Sequence, residues 1–512
     1  MSYTWARNDL SIAAGAPPVV GEPWGYMFDA QGTQHVNYCG PGNHVCELWW
    51  DSAGWHFNDL TTAAAGAPPT ASDPRGYVFV AQGTQHVNYL GPDGHVHELW
   101  WDGGGWHHND LSLAASAPQA IGNPGGYMFG AQGTQHVNYR GTDNHVHELW
   151  WDSHGWHHND LTLAAGAPET SGDPFGYMFD AQGTQHVNYR SADNHVHELW
   201  WDSQGWHHND LTLAAGAPVA AGDPFGYMFD AQGTQHVNYL GLDGHLHELW
   251  WDAQGWHHND LSAAAGAPAS AGNPHGYVFV AQKTQHVNYR GTDDHIHELW
   301  WDANGWHHND LTAATGAPAN GAGAAVGYAF AGQGTQHVNY LGSDSQIYEL
   351  WWPGGYLLPF QVSPQLESEW CWAAVSNSVA HYYAPASTIT QCQVVNEQLG
   401  RTDCCMNPGS SSCNQPGYLD QALQYVGNFA SEKGQGSYGD LSGALAAGEP
   451  PCIRIGWSGG GGHFIGVYGC EGGDIVLVTD PIYGDSFVAV STLTGGAYQG
   501  SGTWTNTYFT QS

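Results

Sequence analysis

The chain has 512 residues, and its 9 Lys and Arg stand against 47 Asp and Glu, which gives a formal net charge of −38. This charge argues against nucleic acid and anionic membranes as partners, because both are bound through clustered Lys and Arg. No apolar run reaches the roughly 20 residues that span a bilayer, and the first residues lack the basic and apolar regions of a secretory signal. The length is sufficient for two or more domains.

A period of about fifty residues organises residues 1–355. The hexapeptide TQHVNY and the tetrapeptide ELWW each occur seven times. Each period holds four short segments rich in Tyr, Val, Trp and Thr, separated by turn residues. Four strands joined by tight turns and repeated radially are typical of propeller blades. The sequence therefore predicts an all-β, seven-bladed propeller over residues 1–355.

The opening segment MSYTWARNDL matches the end of the repeat, which reads GWHFNDL at Gly54–Leu60. After the seventh ELWW the chain reads PGGYLLPF, and no eighth copy of that end follows. We expect Met1–Leu10 to supply the outer strand of the seventh blade, so that the N-terminal strand closes the ring and removes two exposed sheet edges. A solenoid of leucine-rich units is the alternative, but it would not explain the split repeat.

The tryptophans of the repeat have two interpretations. The paired Trp of ELWW, such as Trp150 and Trp151, are predicted to pack between blades. An aromatic face near the rim could instead stack on a sugar whose hydroxyls bind nearby polar groups. That role is assigned to the predicted outermost strand of each blade, at Trp55, Trp106, Trp156, Trp206, Trp256 and Trp306.

The His-x-His pattern of HVHELWW raises the question of a metal site. Residues i and i+2 share one face of a strand, so His145 and His147 could hold one ion together. Blade one has Cys46 at the second position, and blade seven has Gln346 and Tyr348. No carboxylate stands at an obvious ligand spacing, so packing histidines are favoured and no metal or other cofactor is predicted.

The stretch GTQHVNYRGTDNHVHELWWDSHGWHHNDLTLAAGAP resembles the repeat of the bacterial seven-bladed propeller lectins typified by the Photorhabdus luminescens lectin. The resemblance covers residues 1–355 and extends to every blade. It implies shallow sugar sites between neighbouring blades, with fucose and O-methylated sugars as ligands. Up to seven such sites would act through avidity. Glycans are therefore the expected partners of the ring, and a homo-oligomer is left open.

A second domain follows a predicted linker at residues 356–364 and occupies residues 365–512, where the repeats stop. In QLESEWCWAAVSNSVAHYY the apolar residues recur at helical spacing, which places Cys371 where a helix begins. Positive charge at a helix N-terminus, together with a histidine, can convert such a thiol into a thiolate nucleophile. Gln365 lies six residues upstream, where its amide could stabilise an oxyanion.

A base for this thiol is predicted in GGGGHFIGVYG, which places His463 at the start of a strand. The next strand ends at Asp480, and two antiparallel neighbours would set that carboxylate beside the imidazole. Asp474 and Asp485 are weaker candidates for the same role. The alternative is that Cys371 is a buried thiol or half of a disulfide.

Residues 361–512 resemble the papain-like cysteine peptidases of the C39/AvrRpt2 type, on the Trp-Cys-Trp-Ala-Ala segment, the upstream Gln, the Gly-Gly-His and the Asp-Pro. The resemblance implies an α+β papain-like domain. In it Cys371 would be the nucleophile, His463 the general base, Asp480 the orienting acid and Gln365 the oxyanion donor. A protein or peptide would be the substrate.

Apart from Cys371, six cysteines in this domain could form three bridges: Cys392, Cys404, Cys405, Cys413, Cys452 and Cys470. We expect Cys452 to pair with Cys470, and Cys39 to pair with Cys46 across a hairpin of the first blade. Such bridges indicate a secreted, extracellular protein. The leading hypothesis is a fucose-type lectin that directs a peptidase to glycosylated surfaces. The alternative is a lectin or adhesin whose C-terminal domain is inactive or transfers an acyl group.

Overall fold

The computed structural model describes residues 5–280, 282–302, 304–331, 333–352, 355–471 and 475–512. The chain divides into two compact units, a repeat unit that extends to Trp352 and a C-terminal unit that begins at Pro353. Among the described residues, no helix has the length and apolar character needed to cross a membrane.

Seven four-stranded antiparallel sheets, the blades, form the repeat unit. The chain begins with β1 (Ala6–Asp9). Blade one contains β2 (Trp24–Phe28), β3 (Thr33–Cys39), β4 (Val45–Asp51) and β5 (Gly54–Asp59). Blade two contains β6 (Arg75–Phe79), β7 (Thr84–Leu90), β8 (Val96–Asp102) and β9 (Gly105–Asp110). Blade three contains β10 (Ala120–Phe129), β11 (Thr134–Gly141), β12 (Val146–Asp152) and β13 (Gly155–Asp160). Blade four contains β14 (Phe175–Phe179), β15 (Thr184–Arg190), β16 (Val196–Asp202) and β17 (Gly205–Asp210).

Blade five contains β18 (Phe225–Phe229), β19 (Thr234–Leu240), β20 (Leu246–Asp252) and β21 (Gly255–Asp260). Blade six contains β22 (His275–Phe279), β23 (Thr284–Arg290), β24 (Ile296–Asp302) and β25 (Gly305–Asp310). Blade seven contains β26 (Val326–Phe330), β27 (Thr335–Leu341) and β28 (Ile347–Trp352). A short helix follows each outer strand: α1 (Leu10–Ala14), α2 (Leu60–Ala63), α3 (Leu111–Ala115), α4 (Leu161–Ala165), α5 (Leu211–Ala215), α6 (Leu261–Ala265) and α7 (Leu311–Thr315).

The first strands of the seven blades contact one another in sequence, and β26 contacts β2, so the blades form a closed ring. The fourth strand of blade seven is β1, which pairs antiparallel with β28 between Ala6 and Trp351 and between Asp9 and Tyr348. The side chain of Asn8 donates a hydrogen bond of 2.7 Å to Glu349. The predicted seven-bladed propeller, closed by the N-terminal strand, is therefore confirmed. Met1–Thr4 of the predicted segment lie outside the described residues.

Glycine in the Gly-Tyr pair allows the blades to approach closely. A Cβ on Gly176 of blade four would lie 2.2 Å from Asn138 Oδ1 and 2.2 Å from the ring of Tyr127, both in blade three. Within blade three, Val137, Tyr139 and Leu149 are fully buried. The repeat therefore encodes both the core of each blade and its contact with the next blade.

The C-terminal unit contains five helices and a seven-stranded sheet among the described residues. The helices are α8 (Cys371–Tyr383), α9 (Gln391–Gln398), α10 (Leu419–Val426), α11 (Tyr438–Ala446) and α12 (Val490–Thr494). The strands are β29 (Gly355–Leu357), β30 (Phe429–Gly434), β31 (Cys452–Trp457), β32 (Gly462–Glu471), β33 (Ile475–Asp480), β34 (Gly484–Ala489) and β35 (Gly502–Thr510). The sheet order is β30-β35-β31-β32-β33-β34, and β29 pairs with β32. One apolar core contains residues of α8, α9 and α10, and a second contains residues of α11 and α12.

The linker predicted for residues 356–364 is instead part of this unit. Tyr356 pairs with Cys470 in the sheet. Phe360 and Val362 are buried in the core beneath α8. The residues that follow the last repeat are thus packed into the C-terminal unit rather than extended as a linker.

Two disulfides are present among the described residues, Cys392–Cys405 and Cys404–Cys413. The predicted Cys452–Cys470 bridge is wrong, because Cys452 packs into the core beneath α8 and Cys470 packs into the core beneath α11.

The predicted Cys39–Cys46 bridge is also wrong. Cys39 lies opposite Val45 and Cys46 lies opposite Tyr38, so the two side chains project from opposite faces of the hairpin. All four cysteines of these two predicted bridges are buried free thiols.

Candidate functional sites

Cys371 is the first residue of α8, a helix of 13 residues, and its thiol is free. The flanking indoles of Trp370 and Trp372 are buried. They donate hydrogen bonds to the carbonyls of Cys413, at 2.9 Å, and Gln415, at 3.2 Å. The two tryptophans thus fix the beginning of the helix against the disulfide-bonded loop. Helix geometry leaves the backbone N–H of Cys371 without an intrahelical partner.

His463 on β32 and Asp480 at the end of β33 lie on neighbouring antiparallel strands, with Gly466 opposite Thr479. The Nε2 atom of His463 is 2.9 Å from Asp480 Oδ1, and both side chains are almost fully buried. Cys371 and His463 line the same cleft, so the thiol lies near the imidazole. The structure therefore brings together the three residues that the sequence placed in one site. Since Nε2 faces the carboxylate, Nδ1 is the ring nitrogen left for the thiol.

The electrostatics of this trio favour an imidazolium. Burial alone would lower the pKa of His463, but its hydrogen bond to Asp480 and the neighbouring thiol of Cys371 outweigh burial and raise that pKa to about 9. Burial would raise the pKa of Asp480, yet the contact with His463 and two backbone N–H groups lower it. A charged imidazole beside a carboxylate is the partner that stabilises a thiolate.

A tyrosine that sequence reasoning missed completes the environment of Asp480. The hydroxyl of Tyr498 donates a hydrogen bond of 2.7 Å to Asp480 Oδ2. The backbone N–H groups of Ile482 and Tyr483 donate to Oδ1 at 2.7 and 3.0 Å. Tyr498 lies in a turn after α12, and nothing in its sequence neighbourhood indicated a contact with the carboxylate.

Gln365, predicted to stabilise an oxyanion, uses its amide differently in this structure. Its Nε2 donates to the carbonyls of Glu367 at 2.9 Å and Ser368 at 2.8 Å. Both amide hydrogens are thus bound within its own loop, and an oxyanion role would require one of them to be released. Of the weaker candidates, Asp485 accepts a hydrogen bond from Gln361, and Asp474 lies outside the described residues.

An open cleft of about 880 Å³ leads to Cys371 and His463. The start of α8, the loop at residues 416–418 and strands of the sheet line this cleft. Glu369, Asp420 and Glu432 line the cleft together with Arg454. The cleft that Cys371 lines is wide enough for an extended segment of another chain.

In the ring, a pocket of about 150 Å³ lies between blades six and seven. Blade six contributes His286, Glu298, Trp300 and Asn309, and blade seven contributes Trp5, Gln336 and Trp352. Glu298 is buried and accepts hydrogen bonds from Asn309 at 2.8 Å and from His286 at 2.8 Å. The carboxylate is thus held in place at the wall of the pocket.

The same Glu–His contact recurs in every blade, at Glu47, Glu98, Glu148, Glu198, Glu248, Glu298 and Glu349. The indole N–H of Trp300 is buried and has no hydrogen-bond partner among the described residues, as at Trp100, Trp150, Trp200 and Trp250. Buried donors are normally paired. These five indole N–H groups are therefore a recurring feature of the repeat that the described protein acceptors do not satisfy.

The tryptophans predicted to bind sugar, Trp55, Trp106, Trp156, Trp206, Trp256 and Trp306, are partly buried against the blade cores. Trp5 occupies the equivalent position in blade seven and lines the pocket. Sequence reasoning assigned the Trp pair of ELWW to packing between blades, so it missed Trp300 and Trp352 as pocket residues. In blade three, Trp150 is half-buried and stacks on His157 with ring centroids 4.2 Å apart.

The sequence shows no carboxylate at an obvious ligand spacing from the His-x-His pair, but the fold places two carboxylates beside it. His147 Nε2 lies 3.1 Å from Asp143 in the preceding turn, and His145 Nδ1 lies 2.7 Å from Asp160 at the end of the outer strand. Asp160 also caps α4, since it accepts the N–H of Leu163 at 2.9 Å. The folding of the hairpin brings together carboxylates that are four and fifteen residues away in sequence.

Residues 84–272 match the family model of the fungal fucose-specific lectins. Among solved structures, a lectin from Burkholderia pseudomallei is 15% identical and has a TM-score of 0.51, with 65% of this chain and 96% of that chain covered.

The lectin AofleA from Arthrobotrys oligospora is also 15% identical, with a TM-score of 0.39 and coverage of 60% of this chain and 90% of its own. The fucose-specific lectin from Aleuria aurantia is 15% identical, with a TM-score of 0.35 and coverage of 57% and 96%. No curated protein matches the chain. At this identity the Burkholderia similarity concerns the fold alone, and it agrees with the propeller.

Proposed function

We propose that the propeller is a multivalent carbohydrate-binding ring, and that it directs a C-terminal cysteine peptidase to glycosylated protein. The observation that carries the first part is the pocket between blades, where a buried donor without a partner lies beside a fixed carboxylate and aromatic rings.

A pyranose combines an apolar face with hydroxyls that donate and accept hydrogen bonds. The rings of Trp300, Trp352 and Trp5 offer surfaces for the apolar face. The indole N–H of Trp300 would donate to a sugar oxygen, and Glu298, which has lone pairs to spare, would accept from a hydroxyl. Fucose is the proposed sugar class, with O-methylated sugars included, and the match of residues 84–272 to fucose-specific lectins supports it.

Calorimetric titration with methyl α-L-fucoside tests this part. We expect weak sites, up to one between each pair of blades, and loss of one site in Trp300→Phe, which removes the N–H and keeps an aromatic ring. Leu213→Ala is the matched control, since Leu213 is 73% exposed on a surface helix. Absence of binding at millimolar monosaccharide, or the same stoichiometry in Trp300→Phe, would contradict the proposed pocket.

The second part rests on the contacts among Cys371, His463 and Asp480. In the proposed reaction the thiolate of Cys371 attacks the carbonyl carbon of a peptide bond, and the backbone N–H of Cys371 donates to the oxyanion. The intermediate collapses to a thioester as His463 gives its Nδ1 proton to the departing amine. His463 then takes a proton from water, the hydroxide attacks the thioester, and the thiol is regenerated.

Alkylation with iodoacetamide near neutral pH tests the nucleophile. We expect Cys371 to be modified selectively, because burial raises the pKa of Cys452 and keeps that thiol protonated as an internal control. Cys371→Ala should abolish casein cleavage while leaving the binding of fucoside unchanged. An unreactive Cys371 in folded protein would contradict the peptidase.

A reactive Cys371 without casein cleavage would favour the alternative, a lectin or adhesin whose C-terminal domain is inactive or transfers an acyl group. Tethering both activities in one chain would raise the local concentration of substrate, so the cleft would not need to bind peptide tightly. The proposed setting is extracellular, and the two disulfides support it because they persist in oxidising compartments.

A further inference from the structure

The turn of each middle blade gathers imidazoles and carboxylates that neither proposed activity uses. In blades two, three, five and six, the second histidine of the His-x-His pair lies 3.1–3.2 Å from the Asp four residues before it. These histidines are His97, His147, His247 and His297. In these four blades the Nε2 atom of that histidine is therefore already engaged by the carboxylate.

Blade four departs from this pattern because Ser191 replaces a glycine. A Cβ on the equivalent Gly141 would lie 2.6 Å from His147 Nε2 and 2.3 Å from Asp143 Oδ1. Ser191 has that Cβ, and its hydroxyl donates to Asp193. The separation between Asp193 Oδ1 and His197 Nε2 is accordingly 3.7 Å.

His197 is left with a nitrogen that the protein does not use. Its side chain is only 3% exposed, and Nε2 has no hydrogen-bond partner among the described residues. The other nitrogen, Nδ1, is 2.9 Å from His208 Nε2. If Nδ1 carries the proton and donates it to His208, Nε2 presents a lone pair, which is the form of imidazole that binds metals.

Two more ligands are close to that nitrogen. Asp193, His195 and His197 each offer one ligand atom within 4.8 Å of the other two. Two atoms that each lie about 2.0–2.2 Å from a zinc ion are at most about 4.4 Å apart, so the 3.7 Å between Asp193 and His197 accommodates an ion between them. His195 Nδ1 is 2.8 Å from Asp210, and this contact fixes the orientation of the His195 ring.

We infer that Asp193, His195 and His197 of blade four form a binding site for a divalent transition metal of the zinc class. Two imidazoles and a carboxylate are ligands that Zn²⁺ takes in proteins, with a fourth position left for water. Blades two, three, five and six carry the same residue types but bind more weakly, because the ion must first displace the histidine from its aspartate. Blade one lacks the site, since it has Gly42 and Cys46 at the equivalent positions.

Zinc titration of the tag-free full chain, stripped with chelator, tests the inference by calorimetry and by metal analysis after gel filtration. We expect one equivalent to bind more tightly than the rest. His197→Gln should remove that equivalent. Ser191→Gly should weaken it about tenfold or more, since it restores the histidine–aspartate contact of the other blades. Ser191→Gly introduces the residue that the other six blades carry, so the fold of the blade should tolerate it.

His207→Gln is the control, because His207 belongs to the same blade and pairs with Asp202 outside the cluster. Cobalt(II) in place of zinc gives a second readout, a visible absorption band that His207→Gln retains and His197→Gln loses. The inference is overturned if wild type and His197→Gln give superimposable titrations, if Ser191→Gly binds zinc as tightly as wild type, or if wild type retains no zinc after gel filtration.

Discussion

The two units place their functional side chains in different ways. In the ring, a Glu–His contact on two adjacent strands recurs in seven blades, so the residues that line the pocket between blades six and seven have counterparts in the other blades. In the C-terminal unit, Cys371, His463 and Asp480 come once each, from a helix start and from two strands. We expect loss of one proposed sugar site to leave binding at the others, whereas loss of any one member of the trio should abolish the proposed peptidase activity. The candidate sites of the ring are thus repeated, whereas the candidate site of the C-terminal unit depends on residues that occur once.

The ring has one contact that is not redundant, the closure by β1. Deletion of residues 1–10 removes the outer strand of blade seven together with the fully buried Leu10. It also exposes the edge of β28, which is otherwise paired with β1. We expect the calorimetric transition of the ring to fall by more than about 10 °C, since a loss of several kcal/mol lowers Tm by about 2–4 °C per kcal/mol in large domains.

Ile12→Ala is the control for this deletion, because Ile12 lies in the adjacent helix and is 73% exposed. The transition of the C-terminal unit should not move, which also assigns the two transitions to their units. A ring transition that is unchanged after the deletion would show that closure by β1 contributes little to stability.

Much of this comparison was predictable from the sequence. Seven copies of TQHVNY and ELWW indicated the blades, and the split repeat indicated the closure, because each is a local pattern with a period. The meeting of His463 and Asp480 followed from two consecutive strands that form an antiparallel pair. Sites between blades were predicted only as a class, since their walls combine residues of one repeat, such as Trp300, with residues of the next, such as Trp352.

The wrong disulfide predictions and the missed site residues have one cause: the sequence does not show which way a side chain points. The sequence showed that Cys452 and Cys470 lie on either side of His463 along the chain. It did not show on which face of the sheet each thiol lies. Glu298 in the pocket and Tyr498 beside Asp480 escaped notice because their partners lie in other strands or turns. In each case the missing information was a tertiary contact.

Reduction of the disulfides should also distinguish the two units, because it should change the thermal transition of only one of them. Both bridges lie in the C-terminal unit, and Cys413 connects them to the Trp370 contact at the start of α8. Loss of a disulfide costs about 2–4 kcal/mol. We expect a phosphine reductant, which opens both bridges, to lower the transition of the C-terminal unit by about 8 °C or more. The transition of the ring should stay in place, because Cys39 and Cys46 are already free thiols.

The double variant Cys404→Ser, Cys413→Ser should reproduce part of the effect without reductant. It should also slow the alkylation of Cys371, since the wall that anchors the two tryptophans is loosened. Equal shifts of both transitions would mean that the reductant acts on something other than these bridges.

The smallest expected effect concerns the hydroxyl of Tyr498 in the C-terminal unit. Tyr498→Phe removes a donor from Asp480, which raises the pKa of that carboxyl and weakens its support of the imidazolium. The pKa of His463 should therefore fall from its present value of about 9. We expect a loss of about tenfold in kcat/KM, consistent with one hydrogen bond to a charged group.

The pH dependence separates this positioning role from a merely structural one. The pKa of His463 is raised from 6.5 to about 9, so stabilisation by its imidazolium is complete below pH 6.5 and is lost as the pH rises through about 9. Activity and the free energy of unfolding of the C-terminal unit should both decline along that alkaline limb. In Tyr498→Phe the limb should move to lower pH, whereas Tyr425→Phe, a half-exposed hydroxyl on α10, should leave it in place. A uniform loss of activity with no displacement of the limb would assign Tyr498 to packing alone.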